Sequence, residues 1–390
     1  ERLAAARDRY TQVELIHRRL ASFHSPRCRA AISSARICHL PTAKAIVTDR
    51  HPQCTPVAAA ANMGRTACVT GATGFVATEL IKQLLEKGFT VHGTVRNPDD
   101  ESNASILTLK ALAAALPGKL HLHKANLLTS GDFDTPVGAA EVVYHTASPF
   151  GYFDSDDPKR DLLDPALLGT QNVLMSVAKH KATVRRLVLT SSVAAVHGEY
   201  AAPPKNGKLY TEEDWNETSS VENKQPYHLS KVIAEREAWK IAEAEGLDLV
   251  TICPNFIMGP ILSPQGAGVS IGFFKGVLET AAMSNSPILC DVRDVAKAHI
   301  LAAELPGAAG RYIVSQAGPT SPSQVLQILQ ENFPEFAIPA AASEEAPGED
   351  KIDSSKARRE LGLTLTPISS TLADMAATMI ALGVASPTRR

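Results

Sequence analysis

The sequence predicts an α/β protein built on a doubly wound parallel sheet, with a smaller lobe contributed largely by its C-terminal part. Three observations carry that expectation. Short apolar runs alternate with longer helical runs through the first two thirds of the 390-residue chain, which is the rhythm of βαβ units. A glycine turn, Gly71-Ala-Thr-Gly74, stands between the first such strand and the first such helix. Residues of chemical interest (Gly71, Arg96, Asn126, Ala147, Ser192, Pro254) fall at or just after predicted strand ends, where open parallel sheets hold their ligands.

Bulk properties bound the rest. The length exceeds one average domain but suits a large α/β domain with a lobe. A net charge of −2 argues against a nucleic-acid surface. No apolar run approaches the roughly 18 residues needed to span a bilayer. Charge is unevenly spread: residues 1–62 carry ten Lys/Arg against four Asp/Glu, or +6, and the remainder 29 against 37, or −8. That leader is rich in Ala, Ser and Arg, as transit segments are. The alternative is mis-predicted coding sequence, because the chain starts at Glu1 and Met63-Gly64 stands just ahead of the first strand. The expected organisation is therefore a leader over 1–62, unstructured but for a short helix around 2–22, a dinucleotide-binding domain with its lobe over 63–383, and a tail over 384–390. A cytoplasmic location is expected, or a plastid or mitochondrion if the leader is a genuine transit peptide. Cys28, Cys38, Cys54, Cys68, Cys253 and Cys290 form no Cys-x-x-Cys pair, so neither a disulfide scaffold nor a metal site is expected.

The elements follow in order. Residues 66–70 form a short buried strand, and 78–87 a helix that Gly88 closes. Strand, glycine turn and helix are the context a dinucleotide-binding turn needs. Gly71 permits the tight turn, Gly74 lets backbone approach a pyrophosphate, and Ala77 lets the helix lie close. The helix N-terminus offers free N–H groups and a positive dipole end to phosphates. Residues 90–96 are the second strand. It ends in Arg96-Asn97 rather than in the acidic residue that would hold an NAD ribose. Arginine binds a 2′-phosphate in bidentate fashion, so NADP(H) is the expected cofactor. Further strands are predicted at 119–124, 141–148, 186–190 and 248–253, with a helix over 167–179. His121, His123 and His145 lie within strands and are expected to be structural.

Tyr227 and Lys231, four residues apart on a predicted helix, share one face. An ammonium beside a phenol favours its ionised form, and a tuned phenol can hand a proton to a carbonyl oxygen. Ser192, at the end of the fifth strand, is expected to hold that carbonyl. Asn172 is expected to complete a water-linked proton relay.

Together, Val69-Thr-Gly-Ala-Thr-Gly-Phe-Val76, Thr94-Val-Arg-Asn-Pro98, His145-Thr-Ala-Ser-Pro149, Leu189-Thr-Ser-Ser192, Tyr227-His-Leu-Ser-Lys231, Asp291-Val-Arg-Asp-Val295 and Gly310-Arg-Tyr-Ile313 carry a resemblance. From about Met63 to Leu382 the chain resembles an extended short-chain dehydrogenase/reductase. The branch is that of dihydroflavonol 4-reductases, cinnamoyl-CoA reductases and yeast-type aldehyde reductases. The resemblance implies a Rossmann fold and NADPH-dependent reduction of an aldehyde or ketone. The implied catalytic residues are Ser192, Tyr227, Lys231 and Asn172, with Lys231 also binding the nicotinamide ribose. The implied cofactor contacts are Gly71, Thr73, Gly74, Phe75, Val76, Arg96, Asn126, Leu127, Thr146, Ala147, Ser148, Thr190, Tyr227, Lys231, Pro254, Phe256 and Ile257. Asn126-Leu127 departs from the usual Asp-Leu near the adenine. Lys224-Gln-Pro-Tyr227-His stands where cinnamoyl-CoA reductases carry Asn-Trp-Tyr-Cys-Tyr, which argues against a CoA thioester. The partner expected is a small carbonyl compound, with no nucleic acid or membrane, and the chain a monomer or homodimer. Alternative readings are a 3β-hydroxysteroid dehydrogenase, a nucleotide-sugar epimerase or dehydratase, and a non-catalytic NADP sensor. The lobe is expected from 197–225, 258–286 and 316–383, with Phe150, Phe153, Phe256, Ile257, Phe273 and Phe274 as apolar candidates for its pocket.

Overall fold

The computed structural model describes residues 65–149, 155–198, 204, 207–264, 268–280, 287–338 and 351–390. The helix expected around 2–22, Phe150 and Phe153 lie outside the described residues. The strands are β1 (Thr66–Thr70), β2 (Thr90–Val95), β3 (Lys119–Lys124), β4 (Val142–His145), β5 (Arg186–Thr190), β6 (Leu249–Pro254), β7 (Phe256–Met258), β8 (Leu289–Asp291) and β9 (Gly310–Val314). Among the described residues, seven of them form one sheet in the order β3-β2-β1-β4-β5-β6-β9. Every pairing in it is parallel, so all seven C-terminal ends lie along one edge. The winding reverses between β1 and β4, the place where such sheets open a ligand crevice. Strands β7 and β8 pair separately, also in parallel.

The helices are α1 (Phe75–Glu86), α2 (Ala104–Ala115), α3 (Asp134–Gly138), α4 (Asp164–Lys179), α5 (Pro226–Glu245), α6 (Val269–Thr280), α7 (Val292–Glu304), α8 (Pro322–Asn332), α9 (Ser355–Leu361) and α10 (Ile368–Ala381). The twofold alternation of side chains along a strand assigns the layers. Ala67 and Val69 of β1 join a core with α1, α2 and α7. Cys68, between them, joins a second core with α4 and α5, as do Val143, Leu187 and Leu189. The sheet is thus buried on both faces, as parallel sheets are.

A third apolar cluster belongs to the lobe. Phe274, Val277, Leu326, Leu329, Leu372 and Met375 bring α6, α8 and α10 together. Asp291 and Arg293 tie this lobe to the sheet. Arg293 donates to Asp291 at 2.7 Å and to Asp374 of α10 at 2.6 Å, and Thr371 donates to Asp291 at 2.7 Å. Residues 384–390 pack against the lobe. Val384 and Ala385 pack on the lobe core, and the Ala337 amide donates to Thr388 O at 2.7 Å. Phe274 is fully buried in that core.

Two of the boundaries that move have a local physical cause. Helix α1 starts three residues before the predicted 78, because the turn closes as soon as the Gly74 amide bonds Gly71 O at 2.9 Å. Strand β4 stops at His145 instead of 148. The amides of Thr146 and Ala147 leave the ladder and donate to Thr70 Oγ1 at 3.1 and 3.0 Å.

Candidate active site

The glycine turn after β1 builds the first half of the site. Gly71 has φ +67°, a left-handed conformation that favours glycine. A Cβ there would sit 3.0 Å from the Ala147 Cβ, so Gly71 also lets β1 and β4 close together at their ends. Its amide donates to Thr94 Oγ1 at 3.1 Å, and the Ala72 amide donates to Thr94 O at 2.8 Å. This pins the end of β2, and with it Arg96, beside the turn. Gly74 stands exposed at the start of α1, whose N-cap has no side-chain bond and whose first turn has no acidic residue. Such an end leaves backbone N–H groups free for an anion. The residues therefore fit a dinucleotide: a glycine cradle, an uncapped helix end, and an exposed Arg96 for a 2′-phosphate.

The second half gathers at the ends of β4 and β5. Ser192 follows β5, accepts from the Ala194 amide at 3.1 Å and lies beside Tyr227 on the first turn of α5. Lys231, one turn along, holds its ammonium 5.5 Å from the centre of the Tyr227 ring. Its Nζ donates to Ser148 Oγ at 2.9 Å. The structure thus brings Ser148, Ser192, Tyr227 and Lys231 into one cluster. Buried Thr70 organises its floor, since its hydroxyl also bonds His145 Nδ1 at 2.8 Å.

Burial acts on both members of the Tyr227–Lys231 pair. The Tyr227 ring keeps partial exposure, yet the protein packed around it pushes its phenol up to about 12, with neighbouring Ser192 pulling the other way. Burial disfavours the ammonium and pushes Lys231 down to about 8, and its Nζ bonds Ser148. His145 is pushed down to about 3 by burial and by the nearby Lys231, so it is a neutral structural histidine, as predicted.

Three other expected residues have partners of their own. Asn172 donates to Leu127 O at 2.7 Å, fastening α4 to the turn after β3. Thr190 follows the strand alternation onto the α7 face, where its hydroxyl bonds His299 Nε2 at 2.7 Å. Asn126 is exposed, but its side-chain oxygen accepts from the Leu128 amide at 3.0 Å, which leaves one lone pair for a ligand. Leu127 packs against α4, where Gly169 makes room: a Cβ there would meet Leu127 at 2.9 Å. Pro254 ends β6, paired with Val314. Phe75 and Phe256 lie against the lobe core, Val76 and Ile257 against the sheet core, and Phe256 meets Phe273 edge-on at 5.4 Å.

Sequence reasoning missed Thr70, Thr94 and Glu235. Of these, Glu235 had a signal: it lies four residues beyond Lys231 and eight beyond Tyr227 on one helix face, a charge where that face is buried.

Residues 67–318 match the profile of the NAD dependent epimerase/dehydratase family. The chain belongs to that family. Among its relatives, a cinnamoyl-CoA reductase of Medicago truncatula is 38% identical over 313 residues, covering 79% of this chain and 93% of the relative. An anthocyanidin reductase of Vitis vinifera is 34% identical, covering 70% and 83%. Among solved structures, yeast methylglyoxal/isovaleraldehyde reductase complexed with NADPH superposes with a TM-score of 0.70 at 28% identity, covering 82% of this chain and 99% of that one. Vestitone reductase from alfalfa gives 0.66 at 28% identity, with the same coverage. No helix among the described residues is long and apolar enough to cross a membrane.

Proposed function

We propose that this member of the family is an NADPH-dependent reductase that converts an aldehyde or ketone to an alcohol. The observation that carries the reading is the placement of Ser192 beside Tyr227, with Lys231 one turn along the same helix, at the strand ends beside the glycine turn. The oxidoreductase relatives, one of them solved with NADPH, support it.

Gly71, Gly74 and the start of α1 would hold the pyrophosphate, Arg96 the 2′-phosphate, and Lys231 the nicotinamide ribose. The bound cofactor supplies the hydride. Ser192 Oγ donates to the substrate carbonyl oxygen and polarises it. Tyr227 is protonated at neutral pH, the form a reduction requires, and delivers its proton to the developing alkoxide. Lys231 carries its charge below about pH 8 and stabilises the phenolate left behind.

A second reading, reduction of a CoA thioester, is favoured by the 38% identity to a cinnamoyl-CoA reductase. Against it stands Lys224-Gln-Pro-Tyr227-His, where those enzymes carry Asn-Trp-Tyr-Cys-Tyr. One assay separates the readings: NADPH oxidation across aldehydes, ketones, dihydroflavonols and cinnamoyl-CoA. Turnover on free carbonyls, abolished in Tyr227→Phe, is expected. Turnover on the thioester alone would replace the first reading with the second. NADPH binding without turnover on any of them would make the chain a cofactor sensor.

A further inference from the structure

Behind the proposed catalytic serine lies a buried charged network that the reaction itself does not use. Glu235 of α5 is 1% exposed. Its Oε2 accepts from Ser191 Oγ at 2.6 Å and its Oε1 from Thr251 Oγ1 of β6 at 2.9 Å. Arg311 of β9 donates to the same carboxylate through Nε at 2.8 Å and Nη2 at 3.1 Å. Trp239 Nε1 adds a longer bond of 3.3 Å. Arg311 is held in turn by Asp214 O and Glu212 O, at 2.5 and 3.1 Å, and stacks 4.0 Å from the centre of the Trp215 ring.

The placement is specific. Tyr227, Lys231 and Glu235 follow one another at helical spacing on one face of α5. Ser191 stands next to Ser192, and alternation along β5 turns Thr190 towards α7 and Ser191 towards α5. The Ser191 amide also donates to Ile252 O at 2.8 Å. One carboxylate therefore joins the helix that carries the phenol to the strand end that carries the serine hydroxyl. A bidentate guanidinium gives that carboxylate a fixed orientation.

We propose that Glu235, anchored by Arg311, is a positioning residue: through Ser191 it fixes Ser192 relative to Tyr227, so that both donors meet the same carbonyl oxygen. This rests on the reductase reading above. Enzymes that depend on two aligned donors lose rate steeply when one is misplaced by a fraction of an ångström.

The test removes one hydroxyl and leaves the ion pair whole. In Ser191→Ala, kcat per NADPH-binding site on a carbonyl that wild type reduces is expected to fall about tenfold, with the NADPH Kd unchanged and the pH profile of kcat displaced. Ser191→Thr, which keeps the donor, restores most of the rate. Thr251→Val loosens Glu235 without touching the Ser191 link and costs less than Ser191→Ala. Counting NADPH-binding sites removes any loss caused only by unfolding. A wild-type kcat per site in Ser191→Ala, or an equal loss in Thr251→Val, overturns the positioning role and leaves the reductase reading intact. Wild-type protein that binds NADPH and reduces no carbonyl removes both.

Discussion

The ends of β2 and β5 lie on the same edge of one sheet, yet they are built in opposite ways. Beyond β2, and at the end of neighbouring β3, Arg96 and Asn126 stand exposed on local turns. Beyond β5, Ser192 is 9% exposed, Lys231 8% and Glu235 1%, and their bonds reach across α5, β4, β6 and β9. The rim proposed to select the cofactor can vary one residue at a time. The cluster proposed to carry the chemistry cannot, because each member is held by a group from another element.

The sharpest way to break this contrast is Tyr227→Phe. Removing the proposed general acid should lower kcat about a thousandfold while the NADPH Kd, measured by fluorescence titration, stays within error. Retained turnover would place the acid elsewhere. At the rim, Arg96→Ala should weaken NADPH about ten- to hundredfold, the loss of a charge-assisted contact, and leave NADH unchanged. An equal effect on both cofactors would show that Arg96 does not read the 2′-phosphate.

The proposed charge of Lys231 gives a pH signature. The rate of reduction should hold up to about pH 8 and decline above it as the ammonium is lost, whereas Lys231→Met should show no such limb. Between the two regions sits Gly71. Gly71→Ala should destabilise the fold by about 1–2 kcal/mol, the cost of a left-handed non-glycine residue, read as a lower midpoint in urea.

The last effect concerns the stability of the core that supports both. His145 and His299 are pushed down to about 3 and about 4 by burial, from an ordinary 6.5. The unfolded chain takes up these protons first, so their contribution is complete above pH 6.5 and is lost as pH falls from there towards 3. The melting temperature should decline over that window; a flat profile from pH 7 to pH 4 would sink the assignment.

Much of the site was legible because it is written in local signals. The glycine turn needs residues close in sequence, and Tyr227 and Lys231 are one helical turn apart. Predicted strands 66–70, 119–124 and 186–190 coincide with the observed ones, since short apolar or alternating runs with turn residues around them admit few alternatives. Less legible were residues whose partners lie far along the chain. The Asn172 amide donates to Leu127 O, 45 residues away. The Thr190 hydroxyl bonds His299, which α7 supplies.

The sequence alone determined the doubly wound sheet, the glycine turn after β1, the arginine after β2, and the phenol–ammonium pair on one helix face. These follow from chain geometry over a few residues. Only the tertiary structure decided that Lys231 bonds Ser148, that burial raises the Tyr227 phenol, and that Glu235 and Arg311 stand behind Ser192. Those outcomes depend on desolvation and on contacts between groups as much as 83 residues apart, which no local pattern encodes.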